Sequence, residues 1–378
     1  MSELERLIQE LCPNGVEYKK IKEVYNRIKG TPITAGKMKE IENPDGDIRV
    51  FAGGKTVINA FEEDIPNANI TRVPAVLVQS RGVIDAVYYD KPFTFKNEMW
   101  AYTAENPIAV KFLYYVLKNN IQQFRDAAFG MGALPQISLP TTEEFVMPVP
   151  PLPVQREIVR ILDNFTELTA ELTAELTARK KQYEYYRDEL LTFGDDVDKK
   201  TLGEVCIISA GGDAPKEAMS KEKTDKYTVP IISNGIGDNA FYGYTDNAKI
   251  TSPAVTVAAR GTIGYAEYRN YPYFPIIRLL TVLPKDIAVV DTKYLYYCLQ
   301  GKQYSVPMGG IPQLTAPELK KVAIPVPPIE EQQRIVDILD RFDALCNDIS
   351  AGLPAEIEAR QKQYEYYRDK LLTFQPIS

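Results

Sequence analysis

Apolar positions along this chain recur with two periods, in an order that repeats. The runs VPAVLVQS (73 to 80) and PAVTVAA (253 to 259) are short and rich in valine and predict β-strands. FLYYVLK (112 to 118) and YLYYCLQ (294 to 300) have helical spacing instead. Pro- and Gly-rich stretches separate these elements, so each region reads as an irregular mixed α/β domain with substantial loops. The Gly-rich pieces AGGK (52 to 55) and GMGA (130 to 133) read as turns.

Proline clusters, MPVPPLP (147 to 153) and IPVPPI (324 to 329), close each region, and a long helical period follows. In the first, Ile158, Ile161, Phe165, Leu168, Leu172 and Leu176 recur in threes and fours, and Tyr183, Tyr186 and Leu190 continue the stripe. A helix from about residue 154 to 193 would extend roughly 60 Å, and an apolar stripe of that length needs a partner. The best match is the second stripe, over about 329 to 374, through Ile335, Ile338, Phe342, Leu345, Ile349, Leu353, Ile357, Tyr364, Tyr367 and Leu371. Within it Ala351-Gly352-Leu353-Pro354 predicts a kink or break, because proline lacks the interior donor and its ring clashes with the preceding turn.

These parallels belong to a tandem duplication of about 180 residues. VEYKKIKEV (16 to 24) answers VDKKTLGEV (197 to 205), SRGVI (80 to 84) answers ARGTI (259 to 263), and LPQIS (134 to 138) answers IPQLT (311 to 315). IVRILDNF (158 to 165) answers IVDILDRF (335 to 342). Sharpest of all, QYEYYRDELLTF (182 to 193) and QYEYYRDKLLTF (363 to 374) differ only at Glu189 against Lys370. Generic amphipathicity would accept many sequences, so near-identity implies that the same surface is read twice.

Composition narrows the chemistry. At 378 residues the chain suits two or three domains, and its 45% hydrophobic and 25% charged content is that of a soluble globular protein. No run approaches a membrane span and MSELERLIQE is unlike a signal peptide, so a cytoplasmic protein is expected. Cys12, Cys206, Cys298 and Cys346 lie far apart without a CxxC pair, arguing against zinc or a disulfide framework. There is no histidine, which excludes Ser-His-Asp, Cys-His and HExxH chemistry in this chain, and no GxxxxGK[ST] loop is present. Nothing in the pattern supports catalysis. A net charge of -7 argues against indiscriminate nucleic-acid binding, so any basic surface must be local.

With these pieces assembled, the chain resembles the specificity subunit of Type I restriction-modification systems, over essentially its whole length. The resemblance rests on the paired KQYEYYRD[EK]LLTF helix ends, on the PxPPLPVQREIVRILD and PVPPIEEQQRIVDILD helix starts, and on the repeat TAELTAEL (169 to 176), which is similar to one branch of that family. It implies an α+β chain: target-recognition domains over 1–152 and 194–328, helical regions over 153–193 and 329–378, and the two helices packed as an antiparallel coiled-coil spacer. It further implies a non-catalytic subunit that binds double-stranded DNA of bipartite, asymmetric sequence, one half-site per domain. The helices would dock two modification (methyltransferase) subunits, which carry S-adenosylmethionine, and restriction subunits would join that core. Tyr183, Tyr186, Arg187 and Leu190, with Tyr364, Tyr367, Arg368 and Leu371, are the expected docking residues: two identical partners need two near-identical surfaces.

Phosphate contacts supply affinity and base-edge contacts supply sequence. The candidates are Lys37, Lys39, Lys55, Arg72, Arg81 and Lys96 in the first domain, and Lys216, Lys221, Lys223, Lys226, Arg260 and Arg269 in the second. Arg81 and Arg260 occupy matching sites beside Gly82 and Gly261, so a shared job such as phosphate contact stands beside a structural ion pair. Each lysine alone reads as a solvated charge, and only the set points to DNA. Tyr242 and Tyr244 would contact bases or sugars, or pack locally. Elements repeated in both halves read as scaffold, and unmatched loops as the readers of two different half-sites.

The second helical region is longer than the first by four residues between its Phe and Gln landmarks, the length of one TAEL unit. Gaining or losing a unit would preserve the helix face and change the distance between half-sites. The competing expectation is a coiled-coil adaptor whose two domains bind proteins or small molecules.

Overall fold

The computed structural model describes residues 2–129, 134–304, 312–348 and 350–377, and for Lys55 only the backbone; GMGA (130 to 133) and Ile349 of the second stripe lie outside the described residues. The chain forms two compact units, Met1–Thr173 with Ile357–Ser378, and Ala174–Glu356. The duplication is visible in both. In the first unit, Asn26–Lys29, Trp100–Thr103, Ala75–Gln79 and Asp85–Tyr89 lie side by side as a four-stranded antiparallel sheet. In the second, Cys206–Ala210, Leu280–Pro284, Ala254–Val257 and Ala266–Arg269 repeat that order and direction. The valine-rich runs expected as strands form interior ones, and every residue of Ala75–Gln79 and Ala254–Val257 is buried, as a strand covered on both faces requires.

Each unit carries a second sheet with one parallel pair, Ile48–Phe51 beside Phe93–Phe95 and Val229–Ile232 beside Phe274–Pro275. Two-stranded ribbons, Tyr18–Lys20 with Val146–Pro148 and Lys199–Thr201 with Ala323–Pro325, join the start of each domain to its proline cluster. Helices cover the sheets. Pro107–Asn119 is capped by Asn106 with proline at its first position, and Thr292–Leu299 by the Asp291 carboxylate, which accepts from the Lys293 and Tyr294 amides at 2.8 and 2.9 Å.

The long helix runs Leu152–Leu190, unbroken through the TAEL repeat. Its counterpart is two helices, Ile329–Asn347 and Leu353–Leu371, interrupted where the Gly-Leu-Pro run predicts a break. The compact units cut across this linear order. The end of the second helical region packs into the first unit: Leu372 is buried in its core with Tyr364, Leu371 and Phe374 beside it. The end of the first helical region packs into the second unit, where Tyr183 is buried with Tyr294, Tyr297, Ile335 and Leu339. Phe165 stacks on Tyr367 and Phe342 on Tyr186, each at a centroid distance of 5.6 Å, so the two helical regions meet with opposed sequence order.

Candidate nucleic-acid interface

In the first unit, the helix Ala35–Ile41 and the turns at Gly53-Gly54, Arg81-Gly82 and Lys96–Glu98 enclose a cleft of about 560 Å³. Lys39, Arg81 and Lys96 all line it, so the structure gathers half of the first domain's candidates in one place. Lys96 is paired with Glu98 at 2.9 Å, whereas Arg81 is exposed and has no ion-pair partner among the described residues. Gly82 lies at φ 77°, a left-handed turn that glycine adopts without strain, and its amide donates to the Pro135 carbonyl at 2.9 Å. Lys37 is paired with Glu40 at 2.9 Å and Arg72 with Glu62 at 2.5 Å, both at the surface and outside the lining of the cleft. Such exposed pairs are weak and screened, and a phosphate can displace them. The Lys55 side chain lies outside the described residues.

In the second unit a cleft of about 780 Å³ is lined by Asp213, Lys216, Glu217, Tyr242, Ile276 and Ile277. Lys221 places its ammonium 4.4 Å from the centre of the Tyr242 ring, and Lys226 lies 5.0 Å from that of Tyr227. Lys216, Lys221, Lys223 and Lys226 are all exposed. Tyr242 and Tyr244 sit half-buried in the strand Phe241–Thr245, where Tyr242 serves as the platform for Lys221. Arg260 donates from Nε and Nη2 to Gln313 Oε1 at 2.9 and 2.6 Å, and its Nη1 has no hydrogen-bond partner among the described residues. Gln313 and Gln136 are matching residues, and the same backbone bond ties both nodes: Ile137 N to Ser80 O and Leu314 N to Ala259 O, each 2.9 Å. Arg81 and Arg260 therefore occupy equivalent, pre-positioned turns.

Arg269 corrects the expectation made for it. It is 2% exposed, and its guanidinium donates to Thr256 Oγ1, the Tyr271 hydroxyl and Glu267 at 3.1, 2.6 and 2.9 Å. It is a structural cation inside the sheet and unavailable to a ligand. In its place stands Arg278, which the sequence pattern did not mark. Arg278 is exposed, beside the second cleft, and without an ion-pair partner among the described residues. Ile277 and Arg278 both take left-handed backbone, φ 53° and 60°, and no Gly, Asn or Asp announces that turn.

Among the expected docking residues, those that face inward need correction. Tyr183 is buried and donates to Gln300 Oε1 at 2.5 Å, and burial pushes its hydroxyl pKa above the ordinary range. Arg368 donates to Asn119 Oδ1 at 2.6 Å, while Leu190, Tyr364 and Leu371 pack inward. Arg187 bonds Asp188 at 2.7 Å. The surface these helix ends meet is itself duplicated. Tyr115 and Lys111 bond Asp163 in the first unit at 2.5 and 2.7 Å, and Tyr297 and Lys293 bond Asp340 in the second at 2.5 and 2.6 Å. Near-identity at the inward positions thus follows from packing against a repeated scaffold. Tyr185 and Tyr366, 64% and 62% exposed, are identical without that reason; Tyr186 and Tyr367 beside them are partly exposed.

Among the described residues no group of three or more His, Cys, Asp or Glu side chains is placed to hold a metal, and no helix is long and apolar enough to cross a membrane.

The family model for the Type I restriction modification DNA specificity domain matches the chain twice, over residues 13–179 and 194–359. The chain is similar to the specificity subunit of the type I restriction enzyme EcoR124I/EcoR124II of Escherichia coli, at 33% identity over 356 residues, covering 86% of this chain and 87% of that one. Its fold is similar to the crystal structure of a Type-I restriction-modification system S subunit from M. genitalium, with a TM-score of 0.63 at 17% identity, covering 95% and 96% of the two chains. A chain in a solved structure of a type I R-M system gives 0.58 at 16% identity, covering 95% of this chain and 98% of that one.

Proposed function

The chain belongs to the family of type I restriction-modification DNA specificity subunits, and on that premise we propose how it performs that role. It reads a bipartite, asymmetric DNA target without itself catalysing a reaction, one half-site on each unit. The observation that carries this reading is the pairing of one scaffold with two different clefts. The two four-stranded sheets share order and direction, and the Arg-Gly and Pro-Gln segments meet in both. The residues around the clefts differ: Lys39, Lys96 and Glu98 in one, Lys216, Tyr242 and Ile277 in the other. A repeated frame with diverged lining suits recognition of two unlike half-sites by related geometry.

Two modification subunits, each carrying S-adenosylmethionine, dock on the duplicated helix ends, and restriction subunits join that core in the cytoplasm. The exposed Tyr185 and Tyr366, rather than the inward residues, are the anchors this reading assigns. Tyrosine supplies large contact area at low entropic cost, which suits it to the centre of an interface.

The test is DNA binding by the chain together with its modification subunits, over a range of salt and against competitor DNA. A specificity subunit shows affinity that falls steeply with salt and one sequence that competes far better than bulk DNA. A coiled-coil adaptor shows neither.

A further inference from the structure

Both clefts are bordered by one topologically equivalent turn, and the two turns have diverged. Met99 N donates to Lys96 O and Leu279 N to Ile276 O, each at 3.0 Å, so Lys96–Met99 and Ile276–Leu279 are matching β-turns. Each links the parallel strand of its small sheet to an interior strand of the large one. The central residues are Asn97-Glu98 in the first unit and Ile277-Arg278 in the second. Only the second pair has positive φ, at 53° and 60°. Turns of that hand are the domain of Gly, Asn and Asp, and a β-branched residue there is strained.

Local structure holds the strained turn in place. Ile277 N donates to Gly212 O at 2.8 Å, Arg278 N to Gly211 O at 2.9 Å, and Asn234 Nδ2 to Ile277 O at 2.7 Å. That is more fixing than an exposed turn needs. The two side chains so presented face outward: Ile277 is 48% exposed at the cleft, and Arg278 is exposed with no ion-pair partner among the described residues. Backbone strain held by surrounding bonds, with its side chains turned to solvent beside a cleft, marks a site that acts on a ligand.

We propose that the Ile277-Arg278 turn is a base-reading element of the second half-site, with Arg278 hydrogen-bonding a guanine edge and Ile277 making the adjoining apolar contact. A guanidinium suits the paired O6 and N7 acceptors of guanine, and an aliphatic side chain suits a thymine methyl or an opened base step. The basic residues around it, Lys216, Lys221 and Lys249, supply the phosphate contacts that position a duplex. Lys249 already lies 4.4 Å from the centre of the Phe274 ring, next to the turn. The equivalent turn of the first unit offers an amide and a carboxylate, so the same position would read different bases there.

This inference rests on the DNA-reading role proposed above, and its test separates the two. The full chain with its modification subunits methylates a plasmid library in which the second half-site is randomised, and the methylated sequences are read. Arg278→Ala is expected to relax one position of that half-site by about ten- to a hundredfold, with the first half-site unchanged. Ile277→Gly removes the strain, so it should raise thermal stability while weakening discrimination at the same or the adjoining position; a merely structural turn would gain stability with no change in sequence preference. If Arg278→Ala methylates the wild-type sequence with unaltered preference, the turn does not read bases. A wild-type complex that shows no split target at all overturns the DNA-reading role itself, and this inference with it.

Discussion

Phe165 stacks on Tyr367 at a centroid distance of 5.6 Å and an interplanar angle of 24°, and their duplicates, Phe342 and Tyr186, stack at 5.6 Å and 29°. In each pair the phenylalanine comes from the start of one helical region and the tyrosine from the end of the other. Each compact unit therefore contains parts of both copies.

A double-mutant cycle tests that exchange. Phe165→Ala with Tyr367→Ala should show a coupling energy of about 0.5–1.5 kcal/mol in denaturant unfolding, the range for an aromatic pair beyond its buried area. Phe165→Ala with Tyr186→Ala, residues of the same helix that stack in different units, should be additive. Coupling in the second cycle and none in the first would reverse the packing scheme.

Arg269 should behave as a structural residue. Arg269→Ala leaves Thr256, Tyr271 and Glu267 without their shared donor and is expected to destabilise the second unit by about 2–3 kcal/mol, since bonds to a charged group are being removed. The salt slope of DNA binding by the folded fraction should not change, because no phosphate contact is lost. A shallower slope with unaltered stability would return Arg269 to the list of DNA contacts.

The helix ends predict a stoichiometry. Tyr185→Ala and Tyr366→Ala each remove one exposed ring outside the packed core, so the fold should survive while each docking site weakens by about 2 kcal/mol, as at an interface hot spot. Native mass spectrometry of the assembled complex should show one modification subunit weakened by either single substitution and both by the double. Full assembly by the double variant would move docking elsewhere.

Deleting Thr169–Leu172 tests the helix as a ruler. Thr169 Oγ1 bonds Phe165 O at 2.8 Å and Thr173 Oγ1 bonds Thr169 O at 2.7 Å, so the four-residue repeat returns the same groups to the same strip. The deletion removes about 6 Å of helix and should shorten the unread spacer by about one or two base pairs, both half-sites keeping their sequence. Methylation of the original target with its original spacing would contradict this.

Much of the architecture is legible in the sequence because duplication doubles every signal. Strand periods, proline clusters and the paired Arg-Gly turns each occur twice in order, and the break before Leu353 follows from its Gly and Pro neighbours. What fails to show is what depends on which partner a surface meets. An amphipathic stripe says that Tyr183 and Leu190 need cover, and the second stripe offers Ile335, but nothing in the pattern says that Tyr294 and Tyr297 of the domain helix complete it. Arg269 follows a strand rhythm compatible with either face, and only the fold brings Thr256 and Tyr271 to its guanidinium. The Ile277-Arg278 turn is invisible for the opposite reason: it breaks the turn chemistry by which turns are found.

The most direct test of the central claim is the DNA methylation pattern of a host genome carrying the modification subunit, with and without this gene. The account predicts that one split, asymmetric motif is methylated when the gene is present and loses its methylation when it is deleted, giving both half-sites and the spacer at once. An unchanged methylation pattern on deletion would contradict it.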